Sequence, residues 1–289
     1  MTTGTTTSTP TPSPSPTPSP TPSPSPTPTT ATPVAAYRVT PTRVLRAEWH
    51  KLWTVRSTWI TVLTSVAFLL GVGILMGATY TSGGGDSDVD TVILTLYGSQ
   101  LGAICLAVLG ILVTAGEYST GMIRASLTAV PRRTPVLWAK ATVFTATVFT
   151  VSFVTALITF LTAQLFLSDT DQAASLADDG VLAALAGNAA GVTLLGLIAL
   201  GLGAALRSVP GAIGAFVGGV LILPEVLGML PYDAMETAVR YFPTQAAGAL
   251  GSADPVPHAA SPGGAFLALC LWAAATLIVP AMLLKRRDV

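Results

Sequence analysis

The sequence has 289 residues, of which 51% are hydrophobic and only 10% are charged, and its formal net charge is zero. Soluble domains carry roughly a quarter of charged residues, whereas the mean hydropathy here is +0.66. This composition excludes a chain that is disordered throughout. It also argues against a soluble enzyme, which needs a charged surface, and against a nucleic-acid-binding protein, which needs a basic surplus. We therefore predict an integral membrane protein.

The first 36 residues form a separate region of low complexity. They contain no charged side chain and hold eleven of the 22 prolines. Proline at every second position removes amide donors and favours polyproline II, so no packed core can form. We predict a disordered Thr/Ser/Pro-rich tail at 1–36, with a ligand for a proline-recognising domain as the alternative, and a folded domain at 37–289. The tail lacks the basic and apolar regions of a signal peptide.

The rest of the chain contains six apolar stretches of about 20 residues or more, the length of helix that crosses a bilayer. Because each is too long for a strand and nearly free of charge, we predict an all-α polytopic fold. The predicted spans are 57–80, 91–115, 141–167, 181–206, 211–230 and 263–284.

The charges outside these spans are sorted by side. Thirteen of the fourteen basic residues lie before the first span, in the 2–3 and 4–5 loops, and after the sixth span; Arg240 is the exception. Ten acidic residues lie in the 1–2, 3–4 and 5–6 loops. The positive-inside bias therefore predicts a plasma-membrane protein with both termini in the cytoplasm.

Two segments on the predicted cytoplasmic side have helical patterns. In "TPTRVLRAEWHKLWTVRST", Leu45, Trp49, Leu52 and Trp53 share one face of a helix, and the opposite face is basic. The pattern fits an amphipathic helix in the membrane interface, or an ordinary basic flank. Between spans two and three, "GEYSTGMIRASLTAVPRRTP" has apolar residues at helical spacing before Pro131, which predicts a short helix.

Catalytic and metal-binding motifs are missing from the sequence. There is no GxxxxGK[ST], HExxH, GxSxG or CxxC pattern, and two isolated histidines predict no metal site. Glu225 follows Pro224 near the outer end of the fifth span, where it is either a gating residue or a rim residue exposed to water. We expect no catalysis by this chain and no bound cofactor.

Three segments resemble a known family. "RVLRAEWHKLWTVRSTW", "GEYSTGMIRASLTAVPRRTPVLWAK" and "GLGAALRSVPGAIGAFVGGVLILP" resemble, respectively, the N-terminal flank, the first cytoplasmic loop and the fourth-to-fifth span connection of type-2 ABC transporter permeases, especially actinobacterial ones. The resemblance covers residues 38–289, and the second segment is its most specific part. The tail is not part of the family pattern.

The resemblance implies a mechanism and a set of functional residues. It implies an ATP-driven exporter in which two permeases, identical or related, pair with two soluble ATP-binding subunits, so that ATP is bound by the partner. It also implies an outer segment at 231–262, in which the spacing predicts a short helix over 232–242. Coupling to the ATPase would be carried by the loop 116–133, through Glu117, Gly121, Arg124, Pro131, Arg132 and Arg133. The connecting helix would be 42–56, with Arg46, Trp49, Lys51 and Trp53.

Two other classes of function remain open from the sequence. One is a membrane anchor or scaffold without transport, whose proline-rich tail recruits a soluble partner. The other is an intramembrane enzyme, which is disfavoured because no nucleophile, metal set or buried acid pair is visible.

Overall fold

The structure is a computed structural model that describes residues 1–4, 40–82, 89–119, 134–254 and 256–286. The chain divides by its contacts into Met1–Arg38 and Val39–Val289, and all of the helices given below lie in the second unit. Most of the predicted tail and most of the predicted coupling loop therefore lie outside the described residues.

The second unit begins with two helices joined by a one-residue elbow. Helix α1 (Pro41–Thr54) has proline at its first position, which needs no amide donor there. Val55 is extended and separates α1 from α2 (Arg56–Thr79), the first long apolar helix. The sequence thus predicts both helices to within one or two residues.

The predicted second span is divided in two. The short helix α3 (Thr91–Thr95) is capped by Asp90, whose Oδ1 accepts hydrogen bonds from the amides of Val92 (2.8 Å) and Ile93 (3.0 Å). A turn then leads into α4 (Ser99–Ser119). Gly98, in this turn, lies so close to α2 that a Cβ atom would be 2.5 Å from the carbonyl oxygen of Phe68. Only glycine permits this approach without a shift of the backbone.

The third and fourth spans are long, uninterrupted helices. Helix α5 (Thr134–Leu167) has 34 residues and begins seven residues before the predicted start. Its first turns extend the span over Lys140, which the sequence placed in the loop. Helix α6 (Val181–Leu206) has the predicted bounds and is the most deeply buried of the long helices.

The fifth span is irregular. Helix α7 (Val209–Phe216) starts at an N-cap formed by Ser208, passes into a π-helical segment (Val217–Ile222), and continues as α8 (Leu223–Gly228). Pro224 has no amide to donate to the carbonyl of Val220 four residues earlier. The hydroxyl of Thr244 donates to that carbonyl instead, over 3.2 Å.

The outer segment contains two short helices before the last span. Helix α9 (Asp233–Val239) lies within the predicted stretch 232–242. Helix α10 (Pro243–Leu250), which the sequence did not predict, packs into the bundle with Ala246, Ala249 and Leu250 in the main core. Helix α11 (Pro262–Arg286) is the last helix that the structure describes.

The structure confirms the predicted all-α class with six candidate spans. The described residues contain no strand, and six helices are long and apolar enough to cross a membrane. The protein is therefore a helical, membrane-embedded protein. The six candidate spans are Arg56–Thr79, Ser99–Ser119, Pro135–Leu167, Val181–Leu206, Val209–Gly228 and Pro262–Met282.

The two ends of the bundle differ in their chemistry. At one end, the carboxylate of Asp90 also accepts hydrogen bonds from the amides of Ala253 (2.9 Å) and Asp254 (2.8 Å). Tyr80 donates to Asp171 over 2.8 Å, and Gln172 donates to the carbonyl of Val89 over 3.0 Å. We call this the acidic end. The opposite end, where α1 lies beside the end of α4 and the start of α5, is called the basic end.

Candidate functional site

Helix α1 is held against the start of α5 by a small apolar contact. Val44 of α1 is buried with Val136 and Ala139 of α5, and Leu45 packs against them. The inward face of α1 consists of Val44, Glu48 and Leu52, which recur every four residues. This spacing aims a carboxylate, rather than an apolar side chain, into the middle of the contact.

Four charged side chains meet behind this contact, and we call Glu48, Lys51, Glu117 and Lys140 the charge cluster. Lys140 Nζ lies 2.7 Å from Glu48 Oε2 and 2.5 Å from Glu117 Oε1. Lys51 Nζ also pairs with Glu117 Oε1. The charge cluster therefore joins α1, the last turn of α4 and the second turn of α5.

Three members of the charge cluster are almost fully removed from solvent. Glu48 is 9% exposed, Glu117 6% and Lys140 5%, whereas Lys51 is partly exposed. Two carboxylates and two ammonium groups balance in charge, which offsets the desolvation of each ion. Glu117 Oε2 has no hydrogen-bond partner among the described residues. The charge cluster thus depends on Lys140, which alone contacts both carboxylates.

A cavity lies next to the charge cluster. Its volume is about 300 Å³, and the charge cluster lies at its border. The walls are mostly aliphatic and aromatic, and they come from α1, α2, α4, α5 and α7. The apolar lining residues are Leu52, Val55, Leu109, Leu112, Val113, Val143, Phe144 and Val209.

The elbow between α1 and α2 carries a row of three tryptophans. The ring centroids of Trp49 and Trp53 are 5.7 Å apart, and those of Trp53 and Trp59 are 4.9 Å apart. Trp59 Nε1 donates to the carbonyl of Trp53 over 3.0 Å. Trp49 and Trp59 are exposed, as interfacial tryptophans are. Arg46 is exposed on α1 and does not belong to the charge cluster.

The structure brings together only part of the predicted site. Glu117 and Lys51 meet in the charge cluster, but Glu117 is turned inward. Gly121, Arg124, Pro131, Arg132 and Arg133 lie outside the described residues. Glu225 is exposed on α8, and its Oε1 accepts a hydrogen bond from Gln245 Nε2 over 2.9 Å.

Sequence reasoning missed Glu48 and Lys140 as functional candidates. Glu48 stands out as the one acidic residue in a basic flank, and its spacing to Val44 and Leu52 could have identified it. Lys140 was placed in the loop because the predicted span began one residue after it. Its burial depends on the early start of α5, which no local pattern indicated.

A further contact between helices at the basic end lies beside the charge cluster. Arg207, the residue after α6, has a positive φ of 55°. Its guanidinium lies 5.3 Å from the ring centroid of Tyr118, the neighbour of Glu117 in α4. The last turn of α4 therefore has two contacts with its neighbours, one through Glu117 and one through Tyr118.

Polar groups also lie in the middle of the bundle, around a small void. A void of about 10 Å³ is bordered by Ser65, Ser152 and Asn188, among others. Ser65 donates to the carbonyl of Gly102 over 3.1 Å. Ser152 Oγ and Asn188 Nδ2 have no partner among the described residues. The void has room for about one water molecule and for nothing larger.

No protein-family model and no curated protein matches this sequence. The kind of protein that this chain forms is therefore inferred from its own architecture. Six apolar helices, of which one is preceded by an amphipathic helix tied to its neighbours by buried ions, are compatible with the membrane subunit of a transporter.

Proposed function

We propose that this chain is the membrane-spanning subunit of an ATP-driven exporter of the ABC type. In this proposal it acts as a dimer and is coupled to separate soluble subunits that bind and hydrolyse ATP. The observation that carries the proposal is the charge cluster, which ties the helix before the first span to both helix ends that flank the segment 120–133.

The proposed mechanism uses the stiffness of this arrangement. Force applied to the segment 120–133 by an ATPase subunit would act on the last turn of α4 and the first turn of α5. Helix α5 has 34 residues in one piece, so a displacement of its start is transmitted along its length. The charge cluster makes α1 follow the same motion. Rigid elements joined in this way can convert a local push into a rearrangement of the spans.

The position of Glu117 refines its proposed role. Its carboxylate is buried and paired with Lys140 and Lys51, so it is not available to a soluble partner in this conformation. We therefore assign Glu117 as a positioning residue that fixes the base of the coupling loop. Direct contact with the ATPase subunit is left to Gly121, Arg124 and Pro131–Arg133.

The proposal is tested by co-purifying the chain with a soluble protein that carries a phosphate-binding loop and is encoded beside it. We expect a stable complex whose ATPase activity depends on the membrane subunit. The Arg124→Ala variant should weaken the complex. The Glu117→Gln variant should leave the complex assembled but reduce the coupling of ATP hydrolysis to transport.

A matched control separates coupling from general damage. Arg240 lies outside the proposed coupling region, and the Arg240→Gln variant should behave as the unmodified chain does. Failure of any phosphate-loop protein to bind would overturn the proposal. Deletion of residues 1–36 should leave the complex intact; loss of partner binding on this deletion would instead favour the scaffold function.

A further inference from the structure

The cavity beside the charge cluster has the features of a binding site for an amphiphile. Its volume, about 300 Å³, lies at the lower limit of ligand pockets. Leu109, Leu112 and Val113 of α4, together with Val143 and Phe144 of α5, line it with apolar surface. Charged groups lie at one border only. A ligand with a hydrocarbon body and a charged head would match this division.

The position of the cavity identifies the source of such a ligand. Val55, which lines it, is the elbow residue between Trp53 and Trp59. Exposed tryptophans mark the depth of the lipid head groups in a membrane protein. Six helices of the described residues are long and apolar enough to cross the bilayer. The amphiphile present in highest concentration at this depth is a phospholipid.

The charges around the cavity select the kind of head group. Glu48 and Glu117 are already neutralised by Lys140 and Lys51. Arg56 does not line the cavity, but it lies between the lining residues Val55 and Ser57 and is exposed, so it adds one positive charge close to the balanced charge cluster. Lys51 is the one partly exposed member of the charge cluster, and an ammonium group has three donors. Basic groups between transmembrane helices favour anionic lipid heads.

We propose that this cavity binds one anionic phospholipid of the surrounding bilayer. An acyl chain would pack on Leu109, Val113 and Phe144, and the head-group phosphate would accept hydrogen bonds from Lys51, with the exposed Arg56 adding positive charge nearby. The lipid would then contact α1, α2, α4, α5 and α7 at once. This inference does not depend on the proposed coupling to an ATPase.

The first test uses the unmodified full chain in nanodiscs of phosphatidylcholine mixed with phosphatidylglycerol, followed by native mass spectrometry. We expect about one phosphatidylglycerol to be retained per chain, in preference to phosphatidylcholine. Equal retention of the two lipids, or retention of neither, would overturn the proposal. Added inorganic phosphate should not displace the lipid. Displacement would show that the site recognises phosphate alone.

The second test fills the cavity. The Val113→Phe and Leu112→Phe variants should each lower the retained phosphatidylglycerol by about tenfold, because the added ring occupies the space of the acyl chain. The matched control is Leu101→Phe, on the exposed side of α4 and away from the cavity. Retention that is as high in both filled variants as in the control would overturn the proposal. A variant that does not fold is recognised by its thermal unfolding, and the lipid preference of the unmodified chain still decides.

Discussion

Lys140 has the central position among the charged side chains of this protein. A lysine that is 5% exposed has lost nearly all of its hydration, and only close carboxylates can replace it. Its ammonium group contacts Glu48, 92 positions earlier, and Glu117, 23 positions earlier. The ion pairs therefore determine where α1 lies, since the apolar contact through Val44 is small.

Removing the ammonium group should be more harmful than removing an exposed charge. The Lys140→Met variant keeps the length of the side chain but leaves two buried carboxylates without their shared partner. We expect a loss of about 3–5 kcal/mol in the free energy of unfolding. Thermal or denaturant unfolding of the purified chain in detergent measures this loss.

Two comparison variants make the result specific. Arg240, which is partly exposed, and the exposed Glu236 form a pair 3.6 Å apart, so Arg240→Gln should change stability by about 1 kcal/mol or less. In Lys140→Met, Glu117 keeps its pairing with Lys51, whereas Glu48 is left unpaired. Adding Glu48→Gln removes this unpaired carboxylate and should recover part of the loss. A Lys140→Met variant as stable as Arg240→Gln would show that the charge cluster is not stabilising.

The sequence could predict that Glu117 and Lys51 lie on the same side of the membrane, but not that they are paired. The side of the membrane on which each residue lies follows from the order of the spans and from the sorting of charges. Pairing depends on the rotation of each helix about its own axis and on the early start of α5. Those features are decided by side-chain packing over the whole bundle, which leaves no periodic signal in the sequence.

At the scale of the helices, glycine decides which elements touch. In α4, a Cβ atom at position 110 would lie 2.5 Å from the carbonyl oxygen of Gly196 in α6. In α6, a Cβ atom at position 201 would lie 2.6 Å from the carbonyl oxygen of Thr276 in α11. The absence of a side chain lets these backbones approach, which is how helices associate in the membrane without a hydrophobic driving force.

Adding one methyl group at such a contact should separate the helices. We expect Gly110→Ala to destabilise the chain by about 1–3 kcal/mol, since the backbone of α6 must shift. Gly214 in α7 has nothing within 4 Å of its Cβ position. Gly214→Ala should therefore be neutral, or stabilising by about 0.5–1 kcal/mol through helix propensity. Equal effects of the two substitutions on thermal unfolding would contradict this account of the packing.

Glycine spacing in the sequence does not identify these contacts. Among the glycine pairs spaced four residues apart, we consider those at 73 and 77, 187 and 191, and 214 and 218. In the structure the first two pairs face neighbouring backbones, whereas the third faces open space. Apolar length and capping residues predict where the helices are, but the face each helix presents is a property of the assembled bundle. Helix α10 was missed for the same reason, because its apolar face matters only once α6 lies beside it.

At the scale of the whole molecule, the zero net charge conceals two polarised ends. Arg46, Lys51 and Lys140 lie in helices that meet at the basic end, and Arg207, the residue after α6, contacts Tyr118 there. Asp90, Asp171 and Asp254 lie at the acidic end, where Asp90 links two loops. The bundle and the charge sorting agree on which residues share an end. The direction in which the bundle crosses the membrane is a prediction of the positive-inside bias.

The direction in which the bundle crosses the membrane can be determined by labelling single cysteines in intact cells. The native Cys105 and Cys270 are first replaced by alanine, since both are only half-buried in the spans. Thr42 at the basic end and Ala177 at the acidic end are both exposed. A membrane-impermeant maleimide should label the Ala177→Cys variant in intact cells and the Thr42→Cys variant only after permeabilisation. The reverse pattern would place the charge cluster outside the cell, where no cytoplasmic ATPase could reach the adjoining loop, and the proposed function would fail with it.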